Sequence, residues 1–184
     1  MPTILFVCTA NICRSPYAAQ ALRAALGPDS PYQVRSAGVR AEWLEVLGDP
    51  ACEQMPEPAG AGPNDQHESQ QLDVDMVREA DLIITFEAAH RSAVIDLLPR
   101  AQTKTYLAHQ VGRLARAVAT EHWPDAAPER TGDILRDLNG ARLWAPYEDD
   151  PDVSDPHGSG VEAHIVCAAE VDTIVHDLVQ ALTR

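Results

Sequence analysis

A cysteine and an arginine near the start of the sequence are spaced so that both can act on one phosphoryl group. Cys8 and Arg14 enclose five residues, between an apolar run and Ser15-Pro16. A loop that joins a strand to a helix offers backbone amides and the positive end of the helix dipole, which stabilise a thiolate and bind phosphoryl oxygens. Arg14 can bind two of those oxygens side by side. The pattern predicts Cys8 as a nucleophile and Arg14 as a phosphate clamp.

The spacing has a simpler interpretation, in which Cys8 is only a small buried side chain. A cysteine followed six positions later by an arginine also arises by chance. The context favours the chemical interpretation, because a strand, a loop and a helix follow one another at this point. The residues expected to line the phosphate site are Thr9, Ala10, Asn11, Ile12, Cys13 and Arg14.

The elements that would position this loop alternate along the chain. Thr3 to Cys8 predicts a buried strand, and a helix should begin at Pro16 and end before Gly27. Further strands are predicted at residues 32–36, 81–86 and 103–107, with helices at residues 74–79 and 88–98. Ser159 to Glu162 has the spacing of a capping box and predicts the start of a terminal amphipathic helix. We expect an α/β fold, a four-stranded parallel sheet with helices on both faces, in a single domain over residues 1–184.

Composition excludes several classes of function. The formal charge of −14 disfavours binding to nucleic acid or to an acidic membrane. The sequence has neither an apolar run of about 20 residues nor a signal peptide, so we expect a cytoplasmic protein. Four irregularly spaced cysteines suit a reducing compartment, and their spacing disfavours zinc. Cys167 lies on an apolar helix face and is expected in the core, while Cys52 is ambiguous.

The stretch from Cys8 to Pro16 resembles the low-molecular-weight protein tyrosine phosphatase family, whose loop runs Cys-x-Gly-Asn-x-Cys-Arg-Ser-Pro. Six positions match, and Ala10 departs from the family's usual glycine. The resemblance continues through Ser36-Ala37-Gly38, residues 67–72, residues 80–85 and Asp155-Pro156. It implies a phosphatase I-like fold and hydrolysis of phosphotyrosine or aryl phosphate monoesters. Residues 53–65 and 120–153 are longer than is usual in the family, and we assign them no role.

By this resemblance, Cys8 forms a phosphocysteine, and Asp155 protonates the leaving oxygen and then activates water. Ser15 would stabilise the Cys8 thiolate. The family positions that support the loop are matched by Asn11, Ser36 and His67. No metal and no cofactor are implied.

These roles have alternatives in the sequence. Asp150-Pro151 repeats the dipeptide of the acid, and Asp155 itself could be only a turn residue. His67 could be an ordinary surface histidine. The family usually has aromatic residues after the acid, whereas here His157 follows Pro156. Trp43 lies near the position of the other wall aromatic, although a lone tryptophan can equally serve packing.

Two other functions remain open from the sequence. One is an arsenate reductase of the same fold that uses a low-molecular-weight thiol, and the other is a phosphate-binding regulatory module without turnover. The expected partner is a phosphotyrosine-containing protein or a small aryl phosphate. The oligomeric state is undecided, and a monomer is the working expectation. A neighbouring thiol also predicts that oxidised Cys8 is trapped as a disulfide with Cys13.

Overall fold

The computed structural model describes residues 1–44, 55–61, 67–119, 133–145, 149 and 151–183, without the side chains of residues 43 and 44. Its strands are β1 (Thr3–Cys8), β2 (Gln33–Gly38), β3 (Leu82–Thr85) and β4 (Thr105–Leu107). Its helices are α1 (Arg14–Leu26), α2 (Ala41–Leu44), α3 (Val74–Glu79), α4 (Ala88–Leu97), α5 (Ala108–Ala119), α6 (Ile134–Ala141) and α7 (Gly160–Leu182), and Pro99–Lys104 forms a 3-10 helix.

The four strands form one parallel sheet in the order β2-β1-β3-β4. All six residues of β1 are buried, because helices cover both faces. Ile4 and Phe6 belong to a core shared with α1, α5 and α7, whereas Leu5 and Val7 pack with Val77 and other residues of the α3 and α4 side. Alternate side chains of a strand point to opposite faces, so this division follows from the pleat. The predicted α/β class is confirmed.

Several element boundaries differ from the sequence prediction. Helix α1 begins at Arg14, two residues before the proline expected to open it, so the arginine lies in the first helical turn. Strand β4 is shorter than predicted, because the 3-10 helix occupies the residues before it. Helices α5 and α6 had no counterpart in the sequence prediction.

The capping box predicted at Ser159 is wrong, although α7 does begin there. Ser159 is the N-cap residue, and its side chain makes no capping hydrogen bond. Its backbone has φ −103 and ψ 4, outside the extended region from which an N-cap side chain reaches the free N–H groups. Helix α7 is amphipathic as expected. None of the helices in the described residues is long and apolar enough to cross a membrane.

The end of β2 lies directly against the loop that follows β1. Val39 N donates to Cys8 O at 2.9 Å, and Arg40 N donates to Thr9 O at 2.8 Å. A Cβ atom built on Gly38 would lie 2.7 Å from Thr9 O and 2.8 Å from Asn11 N. Both neighbours are backbone atoms that cannot rotate away. Glycine is therefore required at this position for steric reasons.

We expect Gly38→Ala to lower the free energy of unfolding by about 1–3 kcal/mol, the usual cost of overpacking. Gly112→Ala is the matched control, because a Cβ atom there would meet its neighbours at 3.5 Å or more inside α5. Alanine replaces glycine favourably in a helix, so the control should be neutral or more stable. Urea unfolding of both variants provides the measurement. Equal stability of the two variants would contradict the close approach of β2 to the loop.

Candidate active site

The loop from Cys8 to Arg14 joins the carboxyl end of β1 to the amino end of α1 and borders a cavity of about 110 Å³. The cavity, called here the loop cavity, is lined by Cys8, Thr9, Ala10, Ile12, Cys13, Arg14, Asp155 and His157. Every residue predicted to line the phosphate site except Asn11 borders it. Asp155 and His157 arrive from the segment before α7. The loop after β1 and the segment before α7 therefore meet at one cavity.

The backbone carbonyls of this loop are bound by groups outside it. Cys8 O and Thr9 O accept hydrogen bonds from β2's extension, and Cys13 O accepts from Tyr17 N at 3.1 Å. Asn11 O accepts from side chains of residues 67 and 69. In a trans peptide the following N–H points opposite to the carbonyl. We infer that successive N–H groups of the loop face the cavity, as an anion site requires.

Asn11 fixes the middle of the loop. Its backbone has φ 57, a left-handed conformation that asparagine tolerates better than most residues, and its side chain is fully buried. Asn11 Oδ1 accepts from Gln70 N at 2.9 Å, and Asn11 Nδ2 donates to Ser15 Oγ at 2.8 Å. His67 Nε2 and Ser69 Oγ donate to Asn11 O at 2.7 and 3.0 Å. The side chain thus connects the residues 67–70 segment to the start of α1.

Cys8 and Ser15 form a buried pair at the base of the cavity. Cys8 Sγ lies 3.0 Å from Ser15 Oγ, and both residues are buried. Ser15 Oγ already accepts from Asn11, and Ala37 O, its other possible acceptor, is farther away at 3.4 Å. The hydroxyl proton is therefore available to the sulfur. A thiolate at Cys8 would receive a hydrogen bond from Ser15.

Arg14 contacts one carboxylate on each side although it is almost fully buried. Nη1 donates to Glu87 Oε1 at 2.6 Å and to Val153 O at 3.1 Å. Nη2 lies 2.8 Å from Asp155 Oδ2 and 3.4 Å from Thr9 Oγ1. Burying a guanidinium requires such partners, since an unpaired buried charge is costly. Asp155 is about half exposed and Glu87 about a quarter, so Asp155 is the more accessible partner.

His90 contacts Thr9 and lies near Glu87, two residues that also bind Arg14. Its Nε2 lies 2.9 Å from Thr9 Oγ1 and 3.7 Å from Glu87 Oε1, and its side chain is buried. Burial lowers the pKa of His90 below its usual value, although the Glu87 carboxylate partly offsets this effect. In a neutral imidazole, Nε2 can accept a hydrogen bond from the Thr9 hydroxyl. Thr9 in turn accepts from Arg14.

The other predicted site residues have different outcomes. Ser36 lies in β2, and among the described residues its side chain makes no hydrogen bond to the loop, so its supporting role stays a prediction. Asp150 and the side chain of Trp43 lie outside the described residues. Cys167 is in the core as predicted, and burial raises its pKa to about 12.

The predicted Cys8–Cys13 disulfide is not the one in the structure. Cys8 is a free thiol, while Cys13 is disulfide-bonded. Cys167 is also free, so it is not the partner of Cys13. Cys13 Sγ lies 3.9 Å from His164 Nε2, on the side of α7. In this structure Cys13 is therefore not available to trap an oxidised Cys8.

Sequence reasoning missed four residues in or beside the site: Ser69, Glu87, His90 and Asp152, whose carboxylate accepts a hydrogen bond from Ala88 N next to Glu87. Glu87 follows β3 at the carboxyl edge of the sheet, two residues beyond the strand. Binding residues of parallel sheets gather at this edge, so its position was a usable signal. Ser69 lay within the segment of family resemblance. The described residues contain no cluster of three or more His, Cys, Asp or Glu side chains suited to a metal ion.

The chain is similar to proteins of known family. A model described as "Low molecular weight phosphotyrosine protein phosphatase" matches residues 3–133. The chain belongs to this family. A curated relative, the probable low molecular weight protein-tyrosine-phosphatase AmsI of Erwinia amylovora, is 37% identical over 105 residues, which cover 57% of this chain and 69% of AmsI. The predicted family and enzyme class, a phosphatase and hence a hydrolase, are confirmed.

Two further similarities extend over nearly the whole phosphatase chain. A protein-arginine-phosphatase of Geobacillus stearothermophilus is 26% identical over 179 residues, 97% of this chain and 95% of the relative. The structure of Vibrio vulnificus Wzb in complex with benzylphosphonate aligns with a TM-score of 0.65 and 26% identity, covering 97% of each chain. The family's fold therefore includes the carboxyl-terminal part that the family model does not reach.

The burial of His90 predicts a pH dependence of stability. Because its pKa is lower in the folded state than the usual 6.5, the unfolded chain takes up a proton first as the pH falls. Below about pH 6.5, the protonation of His90 in the unfolded chain should therefore lower the free energy of unfolding. We therefore compare the free energy of unfolding of His90→Gln with that of the unmodified phosphatase at about pH 7.5 and about pH 5.5, on either side of the ordinary histidine pKa. The difference should shift in favour of His90→Gln as the pH is lowered. Urea unfolding at both pH values measures the difference.

The matched control is His176→Gln, because His176 is an exposed histidine of α7. Its replacement shows what the loss of a solvent-exposed histidine does over the same pH range. A stability difference of His90→Gln that follows the same course as that of His176→Gln would contradict the effect of burial.

Proposed function

We propose that this phosphatase hydrolyses phosphotyrosine and aryl phosphate monoesters through a phosphocysteine on Cys8, with Asp155 as the general acid. The observation that carries the proposal is the convergence of a buried thiol, a buried guanidinium and an accessible carboxylate on the loop cavity. These three groups supply a nucleophile, a clamp for phosphoryl oxygens and a proton donor. No other group is needed for transfer to sulfur.

In the first step, the Cys8 thiolate attacks phosphorus while the bond from phosphorus to the ester oxygen breaks. Asp155, in its protonated form, gives its proton to the leaving oxygen, so the phenol departs neutral. The hydroxyl of Ser15, 3.0 Å from Cys8 Sγ, stabilises the thiolate before attack and whenever sulfur leaves. The products of this step are the phenol and the phosphocysteine.

In the second step, water attacks the phosphocysteine, and the bond from sulfur to phosphorus breaks. Asp155, now a carboxylate, removes the proton of the attacking water and returns to its acid form. Cys8 leaves as a thiolate and inorganic phosphate is released. The same carboxylate thus serves both steps, and all protons are accounted for.

Charge that develops on the phosphoryl group is stabilised by Arg14 and the loop N–H groups. Arg14 Nη2 is held by Asp155 Oδ2, whereas Nη1 is held by Glu87. A phosphoryl oxygen can take the place of the accessible Asp155 carboxylate, while Glu87 keeps the guanidinium oriented. Asn11, Ser36 and His67 are proposed as loop supports. His157 and Trp43 are proposed as the walls that contact the substrate's ring.

The remaining expectations belong to the same proposal. We expect a metal-independent enzyme without a cofactor, located in the cytoplasm, that acts on phosphotyrosine in a protein or on a small aryl phosphate. The net charge of −14 supports the exclusion of nucleic acid and acidic membranes as partners. A monomer remains the expectation for its assembly.

A second candidate substrate is phosphoarginine in a protein. It is favoured by the similarity of nearly the entire chain to the protein-arginine-phosphatase of Geobacillus stearothermophilus. The two candidates share the nucleophile and the clamp, so they differ in the ratio of kcat/KM values. Matched peptides that carry phosphotyrosine or phosphoarginine distinguish them, and a higher kcat/KM for phosphoarginine would replace the first proposal.

Cys8→Ser and Arg14→Lys should each abolish hydrolysis of p-nitrophenyl phosphate. The first variant lacks the thiolate, and the second loses the planar group that binds two oxygens at once. Release of p-nitrophenol and circular dichroism, measured together, separate loss of chemistry from loss of fold. The control is Cys167→Ser, a core cysteine outside the cavity, which should remain active if it folds. Substantial turnover by folded Cys8→Ser protein would refute the mechanism.

Asp155→Asn should lower kcat by roughly 10²- to 10⁴-fold for phenyl phosphate, the usual contribution of general acid catalysis. The loss should be smaller for p-nitrophenyl phosphate, because p-nitrophenolate leaves without help from an acid. Asp150→Asn should have little effect. A strong loss of activity in Asp150→Asn, together with an active Asp155→Asn enzyme, would show that the acid is Asp150 and not Asp155.

A further inference from the structure

Three hydrogen bonds attach the segment before Asp155 to the body of the fold. Asp152 Oδ1 accepts from Ala88 N at 2.8 Å, in the first residue of α4. Val153 N donates to Phe86 O at 2.9 Å, and Arg14 Nη1 donates to Val153 O at 3.1 Å. Val153 is buried in the core, whereas Asp155, two residues later, is half exposed. The attachment therefore ends immediately before the acid.

Asp152 accepts a hydrogen bond from an N–H group at the start of α4 that the helix's own N-cap residue does not bind. Glu87 is the N-cap residue of α4, and its side chain makes no capping hydrogen bond. Its carboxylate is turned to Arg14 instead. The first N–H groups of a helix have no partner within the helix and need one from outside. Asp152 supplies it from a position 64 residues further along the chain.

We propose that Asp152 is a positioning residue for the acid: by capping α4 it fixes the segment that carries Asp155 above the loop cavity. This inference rests on the proposed function of Asp155. Two of the three attachments use backbone atoms, so Asp152 is the side chain through which the attachment can be altered. Asp152 is itself exposed, so its truncation leaves no buried group unpaired.

The geometry sets a specific expectation for the chemistry. Cys8 and Ser15 are held by β1, α1 and Asn11, none of which contacts Asp152. Arg14 binds Val153 O beside Asp152, but Glu87 and Thr9 also hold its guanidinium. Loosening the Asp152 attachment should therefore impair proton transfer from Asp155 more than attack by sulfur. Small displacements of a reacting group cost large factors in rate. The effect should depend on how much the leaving group needs a proton.

The experiment compares Asp152→Ala, Asp152→Asn and Asp149→Ala on phenyl phosphate and p-nitrophenyl phosphate. We expect Asp152→Ala to lower kcat about 10-fold for phenyl phosphate, a fraction of the full contribution of an acid, and clearly less for p-nitrophenyl phosphate. Asp152→Asn keeps an oxygen that can accept from Ala88 N, so it should restore most of the rate. Asp149 is an exposed neighbour, so Asp149→Ala should leave kcat unchanged for both substrates.

A second comparison tests whether Asp152 acts through Asp155. In an Asp155→Asn background, Asp152→Ala should cause little further loss for phenyl phosphate, because the acid is already absent. Equal loss for both substrates in the single variant, or a full additional loss in the double variant, would overturn the proposal and assign Asp152 a merely structural role. Failure of Asp152→Asn to recover activity would also overturn it.

These outcomes are separate from failure of the proposed function. Turnover by folded Cys8→Ser protein, or an unaffected Asp155→Asn enzyme, would refute the mechanism whatever Asp152 does. An intact requirement for Cys8 and Asp155, with no leaving-group dependence in Asp152→Ala, would refute the positioning role alone. Thermal unfolding of each variant identifies any that fails to fold, and a folded Asp152→Asn beside an unfolded Asp152→Ala would assign Asp152 a structural role and overturn the proposal.

Discussion

The site depends on the direction in which the loop after β1 turns its peptide groups. Carbonyls of the loop are bound by β2's extension, by the residues 67–70 segment and by α1, so the N–H groups are left for an anion. Asn11 is essential to this arrangement, since one buried side chain holds the loop to two of those neighbours. Gly38 completes it by admitting the loop at backbone contact distance. The shape of the loop is therefore a consequence of where its backbone hydrogen bonds are satisfied.

The acidic character of the chain does not conflict with binding a phosphoryl group. The overall charge of −14 repels dianions at long range, yet the cavity is lined by the Arg14 guanidinium and by the loop whose N–H groups we infer to face it. Arg14 is buried and is paired with two carboxylates. Glu87 is about a quarter exposed, whereas Asp155 is about half exposed, so Asp155 is the partner that another anion can replace more readily.

Much of the architecture could be predicted because its signals are local. The apolar run of β1, the loop spacing and the alternation of strands and helices all lie in short stretches, and the family resemblance joined them. What escaped prediction depends on contacts between distant segments. Glu87 had a local signal in its position just after β3, but nothing local showed that it would pair with Arg14. Nothing local distinguishes His90 from a surface residue, since its role comes from facing Thr9. The capping box predicted at Ser159 was wrong for a related reason. A serine suits a helix cap, but its backbone angles, set by the turn before α7, do not.

The bond from Arg14 to Val153 O spans 139 residues, and it has a consequence for how the molecule comes into being. During synthesis the loop after β1 emerges from the ribosome before the segment with Asp155, and β2 and β3 can already surround it. Until that later segment docks, Arg14 lacks two of its partners, Val153 O and the Asp155 carboxylate. A nascent chain can therefore form the loop around Cys8 before the guanidinium has all its contacts, and the last of them are made only when the segment before α7 folds.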